Sequence, residues 1–159
     1  GKEKLIDYIK DNKIELVEQS LLKHPEFAKN NDLMVSPVNI ASEKGYTEIL
    51  RLLLEKGATP NPVSENNSPP LHAAIINGKY DCVKLLLDKG AKVNAKDASG
   101  YTALHFAVTL GKTDWVNLLI EKGADVNAKN DNGETALRLA LDKGRESIAE
   151  IIKQKGGME

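Results

Sequence analysis

The chain has 159 residues, of which 41% are hydrophobic and 28% charged, and its formal net charge is -1. These values are typical of a folded, water-soluble domain, and no apolar run is long enough for a signal peptide or a membrane span. The balanced charge lacks the excess of Lys and Arg on which nucleic-acid binding depends, so the sequence predicts neither DNA nor RNA as a partner. The single cysteine cannot form an internal disulfide, which favours a reducing, cytoplasmic location. Because the first residue is Gly1 and not methionine, the sequence leaves open whether the chain is a segment of a larger protein.

Glycines recur at a fixed interval of 33 residues along the chain. Two series show this interval, Gly45, Gly78, Gly111 and Gly144, and Gly57, Gly90, Gly123 and Gly156. A period of this length is typical of repeats that stack on one another. The sequence therefore predicts one domain, residues 1–159, with N-terminal capping helices 1–30, repeats 31–63, 64–96 and 97–129, and a C-terminal capping repeat 130–159.

The first 30 residues predict a pair of helices between Lys4 and about His24. Charged and amide side chains are frequent in them, as expected for the end of a stack, which must have a polar outer side. His24 stands where a glycine ends the second helix of later units, and we expect a structural role for it.

The repeat 31–63 departs from the pattern of the later repeats. Pro60 and Pro62 interrupt the segment that forms a hairpin in later units, so we expect a distorted hairpin there. Leu33, Met34 and Val35 occupy the tip of this unit, where two interpretations stay open. They either pack onto the preceding helices or form an exposed apolar tip that contacts a partner.

The repeats 64–96 and 97–129 each predict two helices and a projecting loop. Proline or alanine begins the first helix, as in Pro70, and the second helix opens with an acidic residue, Asp81 or Asp114, which suits the helix dipole. Adjacent apolar pairs one turn apart give the second helix a wide buried stripe. Cys82 and Trp115 lie in this stripe, so we expect both to be buried and the thiol to be unreactive.

The third repeat resembles the ankyrin repeat. The resemblance depends on Thr102-Ala103-Leu104-His105 with Ala107, on Gly111, on the apolar run 118–120 and on Gly123-Ala124-Asp125-Val126-Asn127-Ala128. It implies an all-α solenoid of stacked helix-turn-helix units joined by short β-hairpin loops. It also implies that His105 hydrogen-bonds within the turn beside Thr102, whereas His72 follows Pro69 and its local partner is in doubt.

The resemblance implies a contact surface made of hairpin tips and the ends of the first helices. Tyr101, Leu110 and Ile76 interrupt the polar pattern of that surface, although isolated exposed apolar residues often have no function. The predicted contact residues are Tyr101, Leu110, Ile76, Asn77, Glu65, Asn66, Ser68, Ser99, Asn132 and Glu134.

We expect a monomeric protein-protein interaction module, acting as an adaptor, scaffold or inhibitor, with no catalytic residue, metal or cofactor. An alternative is a targeting segment of a larger enzyme or effector whose catalytic part lies outside these residues. A free-standing enzyme would need converging titratable groups, and the sequence offers no phosphate loop, paired-carboxylate spacing or nucleophile elbow.

Overall fold

The structure is a computed structural model that describes residues 1–29, 36–62 and 68–159. Within these ranges the chain forms ten α-helices and one 3₁₀ helix, and no β-strand. The fold consists of two compact units, Gly1–Ala91 and Lys92–Glu159.

The first unit contains three antiparallel helix pairs. Its helices are α1 (Lys2–Lys10), α2 (Ile14–Lys23), a 3₁₀ helix (Pro25–Lys29), α3 (Pro37–Lys44), α4 (Thr47–Glu55), α5 (Pro70–Ile76) and α6 (Tyr80–Asp88). Successive first helices pack side by side, α1 on α3 and α3 on α5, and the second helices do the same.

The second unit contains two further pairs. Its helices are α7 (Ala103–Thr109), α8 (Thr113–Glu121), α9 (Ala136–Asp142) and α10 (Glu146–Gln154). Within each pair the two helices contact one another, and α7 also packs on α9.

The helix boundaries follow from short sequence signals. At the start of α3, the Ser36 hydroxyl accepts a hydrogen bond from the Asn39 N–H at 3.3 Å, and Pro37 occupies the first turn. At its end, Gly45 adopts the left-handed conformation with φ +75°, which allows the chain to turn back into α4.

Aliphatic side chains of the second helices form the core between pairs. Ile49, Leu50 and Leu53 of α4 are at most 1% exposed, and burial of each such side chain contributes about 1.5–3 kcal/mol. On the first helices α3 and α5, alanines stand at the same repeat offset, and Ala41 and Ala74 are both fully buried. Because alanine is small, α3 and α5 can approach closely.

The all-α fold class and its helix-turn-helix pairs confirm the sequence-based prediction. The predicted β-hairpin loops are reduced to tight turns, since the described residues contain no strand. One backbone bond pairs the ends of each of two loops, from the Asp97 N–H to the Tyr101 carbonyl and from the Asn130 N–H to the Glu134 carbonyl. Leu33, Met34 and Val35 lie outside the described residues. No helix in the described ranges is both long and apolar enough to cross a membrane.

Candidate functional site

The loop that precedes α7 is a rigid tip held by Asp97. The Asp97 carboxylate accepts hydrogen bonds from the N–H groups of Ser99 and Tyr101, both at 2.9 Å. Gly100 turns the chain with φ +78°, and its N–H donates to the Asp97 carbonyl at 3.0 Å. Most polar groups of the turn are therefore satisfied by one another, and the side chains of Ser99 and Tyr101 are presented from a fixed backbone.

The loop that precedes α9 repeats this arrangement with Asn130 in place of Asp97. The Asn130 side-chain oxygen accepts from the N–H groups of Asn132, at 3.0 Å, and Glu134, at 2.9 Å. Its amide donates to the Glu134 carboxylate at 3.0 Å, and Asn130 is 5% exposed. The two tips thus have the same backbone bonding at the repeat interval.

The two tips of the second unit are joined directly. The Asp131 N–H donates to the Ser99 carbonyl at 3.0 Å. A Cβ atom on Gly100 would lie 2.8 Å from the Asp131 nitrogen, so only glycine allows this approach. The tips form one continuous polar edge as a result.

The start of α7 is fixed by Thr102 and His105. The Thr102 hydroxyl accepts from the His105 N–H, while His105 Nδ1 accepts from the Thr102 N–H at 3.0 Å, which makes a reciprocal cap. Because Nδ1 is an acceptor, Nε2 carries the hydrogen and donates to the Glu134 carbonyl at 2.9 Å. Burial lowers the pKa of His105, more than the backbone hydrogen bond to Glu134 raises it. The neutral imidazole therefore links α7 to the next tip. Its hydrogen bond with Thr102 is the one that the family resemblance implied for this turn.

His72 and His24 have different surroundings. His72 is 1% exposed on α5, and proline occupies the cap position Pro69, so the reciprocal cap of α7 has no counterpart there. His24 is exposed, lies 3.1 Å from a Glu26 carboxylate oxygen and stacks on Phe27. Within the described ranges, no group of three or more His, Cys, Asp or Glu side chains is placed to hold a metal ion.

Asparagines at the repeat interval connect each loop to the next. The Asn94 amide donates to the Gly123 carbonyl at 3.1 Å, and its oxygen accepts from the Asp125 N–H at 2.7 Å. Asn127 makes the same pair of bonds, to the Gly156 carbonyl and from the Met158 N–H. Both side chains therefore have a structural role in the loops.

Cys82 and Trp115 are buried, as the sequence predicted, at 1% and 6% exposure. Burial raises the pKa of the Cys82 thiol, against a weaker lowering by the hydrogen bond from Thr47 at 3.6 Å. Nearby Asp81 raises it further. A protonated, covered thiol is a poor nucleophile, so this cysteine belongs to the core.

The predicted contact residues of the second unit lie on the tips and at the end of α7. Leu110 is 39% exposed, directly before the glycine that ends the helix. Tyr101 is half-buried and packs against Phe106, with ring centroids 5.3 Å apart, so it is less exposed than the sequence suggested. Ser99 and Asn132 are exposed, and Glu134 is half-buried.

The predicted contact residues of the first unit lie near α5. Ile76 is 50% exposed at the end of the helix, and the exposed Asn77 amide donates to the Ala73 carbonyl at 2.8 Å. Ser68 is exposed just before α5, and its carbonyl accepts from the Asn39 amide. The remaining predicted residues, Glu65 and Asn66, lie outside the described residues.

Comparison with protein families identifies these pairs. A profile described as ankyrin repeats (3 copies) matches residues 5–97, and one described as ankyrin repeats (many copies) matches residues 86–140. The chain belongs to the ankyrin-repeat family. Ankyrin repeats generally serve as protein-protein interaction modules and are typically non-catalytic. No curated protein matches the chain in a sequence search.

Two features of this ankyrin-repeat site were not predicted from the sequence. One is the bonding of each tip by Asp97 or Asn130, and the other is the Asn94 and Asn127 connection between loops. Both recur at the interval of 33 residues, so the periodicity of polar residues carried the signal.

Proposed function

We propose that this chain acts as a non-catalytic adaptor, scaffold or inhibitor that binds a folded protein through its tips and first-helix ends. The observation that carries the proposal is an exposed aliphatic side chain, Leu110, at the end of the helix that follows a tip whose backbone is already fixed. A surface that is ordered before binding loses little conformational entropy when the partner docks.

The chemistry of the second unit supports this proposal. Leu110 offers an apolar contact of the size that fits a pocket, and Ser99 and Asn132 place polar groups on the tips. Protein interfaces typically combine apolar and polar contacts. In the first unit, the exposed Ile76 lies next to the polar Asn77, and we propose both as contacts of that unit.

The proposal includes a cytoplasmic monomer that binds neither nucleic acid nor membrane. The net charge of -1 supports the absence of a nucleic-acid partner. Sedimentation of the purified chain over a range of concentrations measures its oligomeric state.

Photo-crosslinking in cells tests which surface meets a partner. A benzophenone amino acid replaces Ser99 or Asn132 on the tips, or, as the control, the exposed Asn117 on α8. We expect both tip positions to yield the same crosslinked protein, identified by mass spectrometry, and the α8 position to yield none of it. Crosslinking of that protein from Asn117 alone would contradict the proposed surface.

Affinity for the identified partner then tests the apolar contacts. We expect Leu110→Asp to weaken binding at least about tenfold, because burial of a leucine contributes more than about 1.4 kcal/mol. Leu22→Asp is the matched control, since Leu22 is 66% exposed on α2 and is not part of the surface. Equal affinities of the two variants would exclude Leu110 as a contact.

A further inference from the structure

The first helix pair has a groove on its surface. Its volume is about 240 Å³, and side chains of α1, α2 and the following turn line it. Leu5 and Ile9 of α1 are buried, whereas Lys4 and Tyr8, each one position earlier, line the groove. Adjacent residues of a helix lie on different faces, so the face of α1 that lines the groove is not its buried face.

Within the first unit, the groove occupies the position that a preceding pair fills in the later pairs. Leu16 lines it and is 39% exposed. The residues at the same repeat offset are at most 6% exposed: Ile49, Cys82, Trp115 and Ile148. In the pair α3/α4, the helices α1 and α2 provide this cover. The outer face of the first pair therefore keeps a side chain suited to burial under a helix.

Two other positions change this face in opposite directions. Ser20 replaces the aliphatic residue found at its offset in α4, where Leu53 is fully buried, and this makes the face more polar. Tyr8 stands where Ala41 stands in α3, and together with Phe27 it adds aromatic walls to the groove. The result is a groove of mixed character, with Tyr8, Leu16 and Phe27 as its large apolar or aromatic side chains.

The charged side chains that line the groove include two lysines. Lys4 and Lys23 line it, and no Asp or Glu is among the lining residues. Neither lysine has a carboxylate partner within 4.0 Å among the described residues, and the lining His24 interacts with Glu26 outside the groove. A ligand with carboxylates would pair with these lysines, whereas a second copy docked groove to groove would bring lysines together.

We propose that this groove binds an amphipathic helix of a partner protein, with a leucine-sized side chain against Leu16 and carboxylates over Lys4 and Lys23. A helix is the expected ligand because, in the next pair, the helix α2 packs on α4 at the equivalent position. This site is separate from the tip surface proposed above, so each can fail without the other.

Three synthetic helical peptides of equal length test the proposal. The first has two leucines one turn apart with glutamates on either side, the second has lysines in place of the glutamates, and the third has alanines in place of the leucines. Each is titrated into the ¹⁵N-labelled full chain, and amide shifts are followed by NMR. We expect the first peptide to shift amides of α1 and α2 saturably and to bind at least about tenfold tighter than the other two.

Matched variants assign the site. We expect Leu16→Gln to weaken binding of the first peptide at least about tenfold. Leu22→Gln, on the same helix but outside the groove, should change the affinity less than about twofold. The double variant Lys4→Glu with Lys23→Glu should also weaken it, while Lys10→Glu with Lys13→Glu, which changes the net charge equally, should not. The amide spectrum of each variant verifies that it is folded.

Several results would overturn the proposal. These are equal binding of the three peptides, shifts confined to other helices, no binding of the first peptide at millimolar concentration, or an effect of Leu22→Gln as large as that of Leu16→Gln. A dimer of the wild-type chain that Leu16→Gln dissociates would assign the groove to a second copy and would equally exclude the partner helix.

Discussion

At the residue scale, the cap of α7 shows how one side chain connects local and tertiary structure. Thr102 is 2% exposed and caps the helix, and the same hydroxyl lies 2.8 Å from His105 Nδ1. His105 in turn donates to the Glu134 carbonyl of the next tip. Loss of the hydroxyl thus leaves a buried nitrogen with one partner fewer, in addition to the lost cap.

Removal of this cap should lower stability. We expect Thr102→Ala to reduce the free energy of unfolding by about 1–2 kcal/mol, measured by urea denaturation with Trp115 fluorescence as the probe. Thr109→Ala is the control, because the Thr109 hydroxyl donates to the His105 carbonyl within α7, and such bonds contribute little, less than about 0.5 kcal/mol. Equal losses in the two variants would show that the cap has no special role.

The burial of His105 predicts a pH dependence of stability. Its pKa in the folded chain lies below the ordinary value of 6.5, so the unfolded chain binds a proton first as the pH falls. The contribution of the neutral imidazole is fully present above pH 6.5 and is lost as the pH falls from there toward the folded pKa. We expect the wild type to lose more free energy of unfolding than His105→Gln between about pH 7.5 and about pH 5.5. Parallel curves for the two proteins would contradict this prediction.

At the scale of elements, the conformation of the tips depends on backbone geometry that the pattern of side chains indicates only in part. Helices could be predicted from the sequence because glycines, prolines and apolar pairs mark their ends and faces at every repeat. The exposure of Leu110 and Ile76 could also be predicted, since both stand at helix ends. The half-buried state of Tyr101 could not, because it depends on how the tip folds back onto Phe106.

Contacts between one repeat and the next were the hardest to predict. The bonds from Asn94 to Gly123 and from His105 to Glu134 both join residues 29 positions apart. They exist only when two units stack in register, and a single repeat gives no sign of them. A search for polar residues with the period of the glycines would have suggested the asparagines, but not the carbonyls that they meet.

The glycine at the first tip of the second unit should be more sensitive than the glycine at the second tip. Gly100 and Gly133 have nearly equal φ angles, +78° and +76°, so alanine at either position incurs a similar backbone strain of about 1 kcal/mol. A Cβ atom at Gly100 also meets Asp131, whereas a Cβ atom at Gly133 has no atom within 4 Å.

We therefore expect Gly100→Ala to reduce the free energy of unfolding by at least about 1 kcal/mol more than Gly133→Ala. The difference measures the packing of one tip on the other, because the strain is common to both variants. Urea denaturation of the two variants gives the comparison. If Gly133→Ala is equally or more destabilising, the close approach of the tips does not contribute to the free energy of unfolding.

At the scale of the whole molecule, the helix pairs from α3 to α10 share one packing feature in both units. A fully buried alanine recurs at the repeat interval on the first helices: Ala41, Ala74, Ala107 and Ala140. The first pair has Tyr8 at this offset, and Tyr8 lines the outer groove. A large side chain is therefore accepted beside the groove, and a small one is required where first helices pack on one another.

This rule predicts equal costs at equivalent positions of the two units. Ala74 lies in α5, which packs on α3 and α6, and Ala140 lies in α9, which packs on α7 and α10. We expect Ala74→Val and Ala140→Val each to lower the free energy of unfolding by about 1–3 kcal/mol, because added methyl groups have no space in a close-packed contact. Ala98→Val makes the same chemical change on an exposed tip and should change stability by less than about 0.5 kcal/mol. Urea denaturation followed by circular dichroism measures all three, and a cost at only one of the two buried positions would mean that the units are packed by different rules.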